Sequence, residues 1–280
     1  MKQKKTLADL TLLDRFLFAE VMEDPEVLQM VLEIILGREI LLKFLPQTER
    51  EIRRSPIYRQ IKLDVWAQDM QDAIYDTEVQ KTNTKNLPRR SRHYQSLIDS
   101  KLLQPGEVDF NTLNDIYIII ISPFDLFGLK RYRYTFRMKC DEENELRLED
   151  GAVRIFLNTR GENYEEVNPE LTELLRYMEH TTEISGRDCK SGRIKKLQER
   201  VQSIKSDEEV GVKYMQAWEE REIERREARA EGLAEGIRAL IKVCREFGVS
   251  QEDTSGRLME EFSLTEEETG NYLRKYWNKE

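Results

Sequence analysis

The sequence predicts an α/β (α+β) fold, a mixed sheet flanked by helices, with an all-helical C-terminal extension. Apolar and polar residues alternate between Thr48 and Gln80, as expected for strands with one buried face. The segment Ile116 to Ser122 is apolar on both faces, which is typical of a central strand covered by helices on each side. The charge-rich remainder has helical spacing. A chain of 280 residues has room for one such domain and a smaller unit.

Two helices are predicted before the strands, over Leu10 to Met22 and Pro25 to Leu36. The second has Asp24 as its N-cap and a proline at its first position, and Gly37 follows its last residue. Its apolar residues recur at helical spacing and form a buried stripe. Both helices are therefore expected to support the sheet.

The alternating segment contains a predicted β-hairpin. A turn centred on Gln71 places Asp64 opposite Glu78 and Lys62 opposite Gln80, with all four side chains on one face. The opposite face is apolar and is expected to pack into the core. The core domain is completed by a basic helix, two strands and a helix, predicted over Pro88 to Leu103, Arg131 to Cys140, Ala152 to Thr159 and Pro169 to Glu179.

Three segments are predicted: a core over residues 1–185, a charged helical linker over 186–232 and a three-helix unit over 233–280. Capping boxes that pair Ser250 with Asp253 and Thr265 with Glu268 begin two of its helices. One helical face is predicted to carry Leu233, Ile237, Leu240, Ile241 and Cys244. The residues expected to close the three-helix core are Leu258, Met259, Phe262, Tyr272, Leu273 and Tyr276.

The C-terminal unit could be a helix-turn-helix that binds DNA, or it could associate with a second copy. Its last helix opens with Glu266, Glu267 and Glu268, which would face phosphates in a DNA groove. Homo-oligomerisation through residues 217–277 is therefore favoured.

Composition excludes several classes of protein. No apolar run approaches the ~20 residues that a membrane-spanning helix needs, and charges interrupt the N-terminal apolar stretch, so a soluble cytoplasmic protein without membrane association is expected. Three separated cysteines and two histidines give no zinc spacing. The net charge of −9 opposes nucleic-acid binding, but a local basic stretch is available in Lys81, Lys85, Arg89, Arg90, Arg92 and Lys101.

The hairpin carries the residues with catalytic potential. Opposed Cβ atoms on paired strands lie ~4.5 to 5.5 Å apart, so Asp64 and Glu78 would repel unless a cation lay between them. Carboxylate oxygens suit Mg²⁺, or another divalent cation such as Mn²⁺ or Ca²⁺, and a metal-bound water can attack a phosphate. The alternative is a solvated hairpin face on which Lys62 pairs with either acid.

The order of several motifs resembles one known family. The segment from Leu63 to Gln80 is similar to the D…E-x-Q form of the PD-(D/E)XK motif in the recombination-promoting nuclease / putative transposase family. Four further blocks are similar and occur in the same order: LPRRSRHYQSLIDSKLL, SPFDLFG, RYTFR and DGAVRIFLNTRG. The resemblance extends over about residues 10–215.

The resemblance implies a restriction-endonuclease-like core in which Asp64 and Glu78 bind metal. It places Gln80 where the superfamily usually has a lysine that helps to activate water. An amide can hydrogen-bond water but carries no charge, so Lys62 is the candidate substitute, whereas Lys81 should point to the other face. The superfamily often takes another ligand from the first helix, here Asp14 or Glu20, although surface acids are the favoured interpretation of both.

Arg90, Arg92 and Tyr94, on the helix after the motif, are the predicted phosphate contacts, with a plain solvated helix face as the alternative. The function favoured by the sequence is a Mg²⁺-dependent DNA endonuclease of low sequence specificity, associated with transposition or recombination. One alternative is the same fold weakened by Gln80 and acting as a DNA- or protein-binding regulator. Another is a structural assembly protein built around the charged tail.

Overall fold

The alternating segments form a six-stranded mixed sheet in the computed structural model, which describes residues 5–52, 61–103, 106–181 and 189–277. The strand order is β1-β2-β3-β4-β6-β5 within this described part. The pairs β3–β4 and β4–β6 are parallel, and the other three neighbouring pairs are antiparallel. The strands are β1 Gln47–Ile52, β2 Ile61–Gln68, β3 Ile74–Val79, β4 Ile116–Ser122, β5 Arg133–Phe136 and β6 Ala152–Asn158.

The predicted hairpin register is confirmed. Val65 pairs with Thr77 and Trp66 pairs with Asp76, which is the alignment that a turn centred on Gln71 requires. The buried carboxylate of Asp69 holds the turn, because its Oδ1 accepts hydrogen bonds from the N–H groups of Gln71 and Ala73 at 3.0 and 2.9 Å. The turn therefore fixes which residues of β2 and β3 share a face.

Five described α-helices lie wholly within the first unit: α1 Arg15–Met22, α2 Pro25–Leu36, α3 Leu87–Leu102, α4 Pro169–Glu179 and α5 Gly192–Ser206. Helix α1 begins five residues later than predicted, because Asp14 has extended backbone and occupies the N-cap position. Asp24 caps α2 as predicted, by accepting hydrogen bonds from the N–H groups of Glu26 and Val27. Gly37 ends α2 with a φ of 70°, a conformation that glycine adopts without steric cost.

The strand predicted over Arg131 to Cys140 is wrong in length, since only Arg133–Phe136 pairs with β6 and Met138 is exposed. The predicted boundary at residue 185 lies outside the described residues. The chain divides into two compact units, Met1–Gly211 and Val212–Glu280, and α5 buries Ile194, Leu197, Val201 and Ile204 within the first of them.

The second unit contains α7 Gln251–Phe262, α8 Glu266–Tyr276 and most of α6 Glu208–Glu246. Its core consists of Ile237, Ile241, Leu258 and Leu273. The capping box of Thr265 and Glu268 is confirmed, and Ser250 Oγ accepts a hydrogen bond from the Asp253 N–H. Leu233 of the predicted apolar face and Met259 of the predicted core are 37% and 38% exposed, and the described helix α6 buries no residue between Tyr214 and Ile237. No described helix is long and apolar enough to cross a membrane.

Candidate metal and active site

Asp64 on β2 and Glu78 on β3 form a buried acidic pair, with exposures of 2% and 3%. Two hydrogen bonds cross between their strands. The Asp64 N–H donates to Glu78 Oε1 at 2.8 Å, and the Val79 N–H donates to Asp64 Oδ2 at 3.1 Å. Each carboxylate is therefore held by the backbone of the neighbouring strand, which is the rigid support that a ligand site requires.

Two guanidinium groups contact this pair, one from a helix before the hairpin in the sequence and one from a helix after it. Arg15, the first residue of α1, forms an ion pair with Asp64 Oδ1 and donates to the Lys62 carbonyl at 3.0 Å. Arg90 of α3 lies with its Nη2 at 3.5 Å from Glu78 Oε2. The positive charge at the carboxylates therefore comes from helices on either side of the hairpin in sequence.

Sequence reasoning missed Arg15 as a site residue. A signal was present, because Arg15 and Glu20 are the only charged residues in an otherwise apolar helix. Such an arginine needs a partner or solvent at the end of the helix.

Asp76 is a third buried carboxylate that sequence reasoning left out of the site. It lies on β3 two residues before Glu78, and its exposure is 0%. Within the described residues, neither of its carboxylate oxygens has a hydrogen-bond partner. The signal was its spacing, since residues two apart on a strand share a face.

Burial is the largest cause of a raised pKa at each of the three acids. Burial, together with the charge of Asp64, raises the pKa of Glu78 to about 8. Burial also raises the pKa of Asp64, against the opposing effect of Arg15. Burial and the charges of Glu78 and Asp64 raise the pKa of Asp76 well above its ordinary value. Ionising all three groups therefore requires additional positive charge.

A pH prediction follows from Glu78. Its pKa in the folded chain, about 8, exceeds the ordinary value of 4.5, so the folded state binds this proton more tightly than the unfolded state does. The metal-free protein should therefore lose stability as pH rises from about 4.5 to about 8. Glu78→Gln has no such proton to lose and should show a flatter profile. Thermal melts with a chelator across this range provide the measurement, and parallel profiles for the two proteins would contradict the assignment.

The structure does not bring the side chains of Lys62 and Gln80 to the carboxylates. Lys62 Nζ pairs with the carboxylate of Glu49. Gln80 follows the last residue of β3, and its side-chain amide donates to the Thr82 carbonyl at 2.7 Å. Its own N–H donates to the Ile121 carbonyl at 2.8 Å, so Gln80 is anchored to β4 through its backbone. The catalytic roles of both residues stay predictions.

Of the three predicted phosphate contacts on α3, Arg90 and Tyr94 contact each other, whereas Arg92 lies apart from them. Arg90 lies over the ring of Tyr94, with 5.4 Å from the guanidinium carbon to the ring centroid. Burial and the charge of Glu78 raise the pKa of Tyr94 to about 12, so its hydroxyl stays protonated at neutral pH. Arg92 is exposed and, two residues from Arg90, lies on another side of the helix.

The two acids predicted as possible extra ligands on the first helix have different environments. Asp14 accepts a hydrogen bond from the Thr11 N–H at 2.9 Å and pairs with Lys81 Nζ at 2.5 Å. These contacts are consistent with a structural role at the start of α1. Glu20 is buried, so its interpretation as a surface acid is wrong.

The donor set at the hairpin fits a hard divalent cation. It consists of carboxylate oxygens, two of which belong to an acid without hydrogen-bond partners among the described residues. In that part of the chain, no group of three or more histidine, cysteine, aspartate or glutamate side chains is already gathered to hold a metal ion. Asp64 and Glu78 instead contact Arg15 and Arg90, so a cation would have to replace these guanidinium contacts.

A helix-flanked mixed sheet with a buried acidic pair on adjacent antiparallel strands is consistent with a restriction-endonuclease-like α/β fold. A family model described as PD-(D/E)XK nuclease family transposase matches residues 13–231. The chain therefore belongs to this family, and the membership supports a nuclease-type function. A comparison with curated proteins and a comparison with solved structures gave no match.

Proposed function

We propose that the protein is a Mg²⁺-dependent endodeoxyribonuclease of low sequence specificity that acts in the cytoplasm in transposition or recombination. The observation that carries this proposal is the buried pair of Asp64 and Glu78, crossed by two backbone hydrogen bonds and balanced by two guanidinium groups. Family membership supplies the class of reaction. The pKa of both acids is raised in spite of these arginines, so a bound cation would favour the ionised pair.

In this proposal Asp64 and Glu78 hold the cation, for which Mn²⁺ or Ca²⁺ could substitute in binding. When bound, the divalent ion supplies an activated water and stabilises charge on the phosphate. Arg90 leaves Glu78 and donates to a phosphate oxygen, and the ring of Tyr94 limits the directions in which its guanidinium can turn. Arg15 keeps its hydrogen bond to the Lys62 carbonyl, which fixes the start of α1 against β2.

The test of the function is a plasmid-nicking assay on the full chain, with Mg²⁺, with Mn²⁺ and with a chelator. Metal-dependent conversion of supercoiled plasmid to nicked circles is expected. Nicking that persists unchanged in the chelator would contradict a metal-dependent enzyme.

One observation favours a second candidate, a regulator that binds DNA or protein without cutting. The side chain at the usual lysine position, Gln80, bonds the Thr82 carbonyl, and Lys62 is taken by Glu49. Among the described residues, the ion pairs of Asp64 and Glu78 are made with arginines, Arg15 and Arg90, and not with a lysine. Metal binding and DNA binding without nicking would support this candidate.

The position of Gln80 gives a prediction about rate. Gln80→Lys gives up the amide's hydrogen bond to the Thr82 carbonyl for a longer, charged side chain that can extend toward Glu78. The nicking rate should lie between that of wild type and about 10-fold higher, below the ~100- to 10,000-fold of a fully positioned acid–base group. Gln80→Met, similar in length but without charge, is the matched control and should not exceed wild type. Lys62→Ala should change the rate little, because Lys62 pairs with Glu49. A loss with Lys62→Ala larger than with Gln80→Met would instead assign the cation to Lys62.

We further propose that residues 217–277 mediate homo-oligomerisation and that the second unit contributes little to DNA affinity. Three glutamates open α8, and the core of this unit is separate from that of the first. A chain truncated after residue 212 should stay folded, bind DNA within about 3-fold of wild type and have a smaller oligomeric state, since acidic residues add no phosphate contacts. Sedimentation and DNA titration measure these quantities. Lost DNA affinity with an unchanged oligomeric state would restore the helix-turn-helix interpretation.

A further inference from the structure

Asp76 occupies the middle of β3, between Trp66 on β2 and Ile118 on β4. Its side chain is fully buried, and its two oxygens are without hydrogen-bond partners in the described residues. Strand alternation places Asp76 on the same face as Glu78. The interior therefore contains a carboxylate whose hydrogen-bonding and charge requirements are not met by the chain around it.

Asp69, on the turn of the same hairpin, shows how this chain treats a structural aspartate. It is also fully buried, but its oxygens accept hydrogen bonds from two backbone N–H groups and from the Tyr75 hydroxyl. The contrast between these two buried acids indicates that Asp76 is not there to hold the fold together. An acid without internal partners is suited to a ligand that the chain itself does not supply.

The charges around Asp76 point to the kind of ligand. The charged groups that act on it are Glu78, Asp64, Arg90 and Arg15. The three acids carry three negative charges when ionised, and the two arginines supply two positive charges. The cluster is then one positive charge short, and a small cation would meet this shortage without the volume of another side chain.

We propose that Asp76 is a third carboxylate ligand of the divalent cation held by Asp64 and Glu78. The inference rests on the proposed function, because it assigns an additional ligand to the same metal centre. The site then draws on three carboxylates from two adjacent strands, on the face covered by α3. Among the described residues they are not gathered to hold a metal ion while Arg15 and Arg90 contact Asp64 and Glu78, so the cation has to replace these contacts. Once Arg90 has turned to a phosphate, Arg15 supplies one positive charge against three carboxylates, so the cluster lacks two positive charges and favours a divalent over a monovalent ion.

The test uses the full chain and Mn²⁺ alone, with binding measured by calorimetry. Asp76→Asn keeps the shape of the side chain but cannot ionise. It should weaken Mn²⁺ binding at least about 10-fold, because even the loss of a residue that only supports a metal ligand lowers metal affinity by about 10- to 100-fold. It should also reduce the rise in melting temperature that Mn²⁺ produces. Thr77→Val is the matched control, because Thr77 Oγ1 is likewise buried without a partner among the described residues but faces the other side of β3.

The outcomes separate this inference from the function on which it rests. If Asp76→Asn binds Mn²⁺ as wild type does while Asp64→Asn and Glu78→Gln lose binding, Asp76 is a neutral structural acid and only this inference fails. If the wild-type protein binds no Mn²⁺, both this inference and the proposed function fail. Should Asp76→Asn not fold, Asp76→Leu carries the same test, because an apolar side chain of that shape suits the neighbours Trp66 and Ile118.

Discussion

Asp64→Ala and Glu78→Ala are each expected to reduce the metal-dependent nicking rate by more than about 100-fold, because each removes a ligand that holds the cation. The two acids are proposed to act as one site, so the double variant should be no slower than either single variant. The measurement is nicking rate against Mg²⁺ concentration. Glu49→Gln is the matched control: this acid pairs with Lys62 and lies 3.8 Å from Arg15 Nε, but it is not assigned to the cation.

Thermal melts without metal separate loss of a ligand from loss of the fold. Removing a buried carboxylate relieves like-charge repulsion, but Glu78→Ala also leaves the Asp64 N–H and Arg90 without the partner that Glu78 provided. These effects oppose each other, so a change of about 1 kcal/mol or less in the free energy of unfolding is expected. Variants that stay folded and still cut DNA at the wild-type rate would show that the activity comes from another site.

The hairpin could be predicted because its pattern is local. A period of two defines the faces of β2 and β3, and the short polar turn defines their register, so the pairing of Val65 with Thr77 follows from the sequence. The apolar run of β4 was predicted for a similar reason, since only a doubly covered strand is apolar on both faces. The start of α1 was not predicted correctly. The hydrogen bonds between Thr11 and Asp14 form a turn there, and this turn competes with a longer helix.

The site was predicted only where local periodicity determines it. Alternation places Asp64 and Glu78 on one face, and the structure buries both. The contact between Arg15 and Asp64 joins residues 49 positions apart, so it depends on how α1 packs against the sheet, which no local pattern determines. Gln80 was expected on the strand, but β3 ends at Val79, and beyond that point the side chain follows the loop to Thr82.

Asp76 shows a different limit of sequence reasoning. Its position on the face was evident from the period, but an acid on a strand between β2 and β4 can be either solvated or buried. The difference lies in α3, which covers that face, and in β4, which pairs with β3 along its edge; both belong to other parts of the sequence. Burial is therefore a property of the tertiary fold. That the oxygens of Asp76 have no hydrogen-bond partner in the described part of the chain could be recognised only in the structure.

DNA binding is expected to depend on Arg90 and Arg92 through their charge. Replacing both by Ala should weaken binding to all sequences alike and reduce the slope of log affinity against log salt by about 2, because each phosphate contact contributes about 0.9. Binding titrations at several salt concentrations, with Ca²⁺ or no metal so that the DNA stays intact, measure this slope. Lys101→Ala removes a similar charge from the last turn of the same helix and is the matched control.

The single variants should differ, because the two arginines have different surroundings. Arg92 is exposed, so Arg92→Ala should affect DNA affinity alone. Arg90 pairs with Glu78 and stacks on Tyr94, so Arg90→Ala should weaken DNA binding and also shift the Mg²⁺ concentration that half-saturates nicking. The shift should be toward lower Mg²⁺, since the guanidinium no longer competes with the cation for Glu78. A salt slope unchanged from wild type in the double variant would return both arginines to a solvated helix face and would leave DNA contact to another part of the surface.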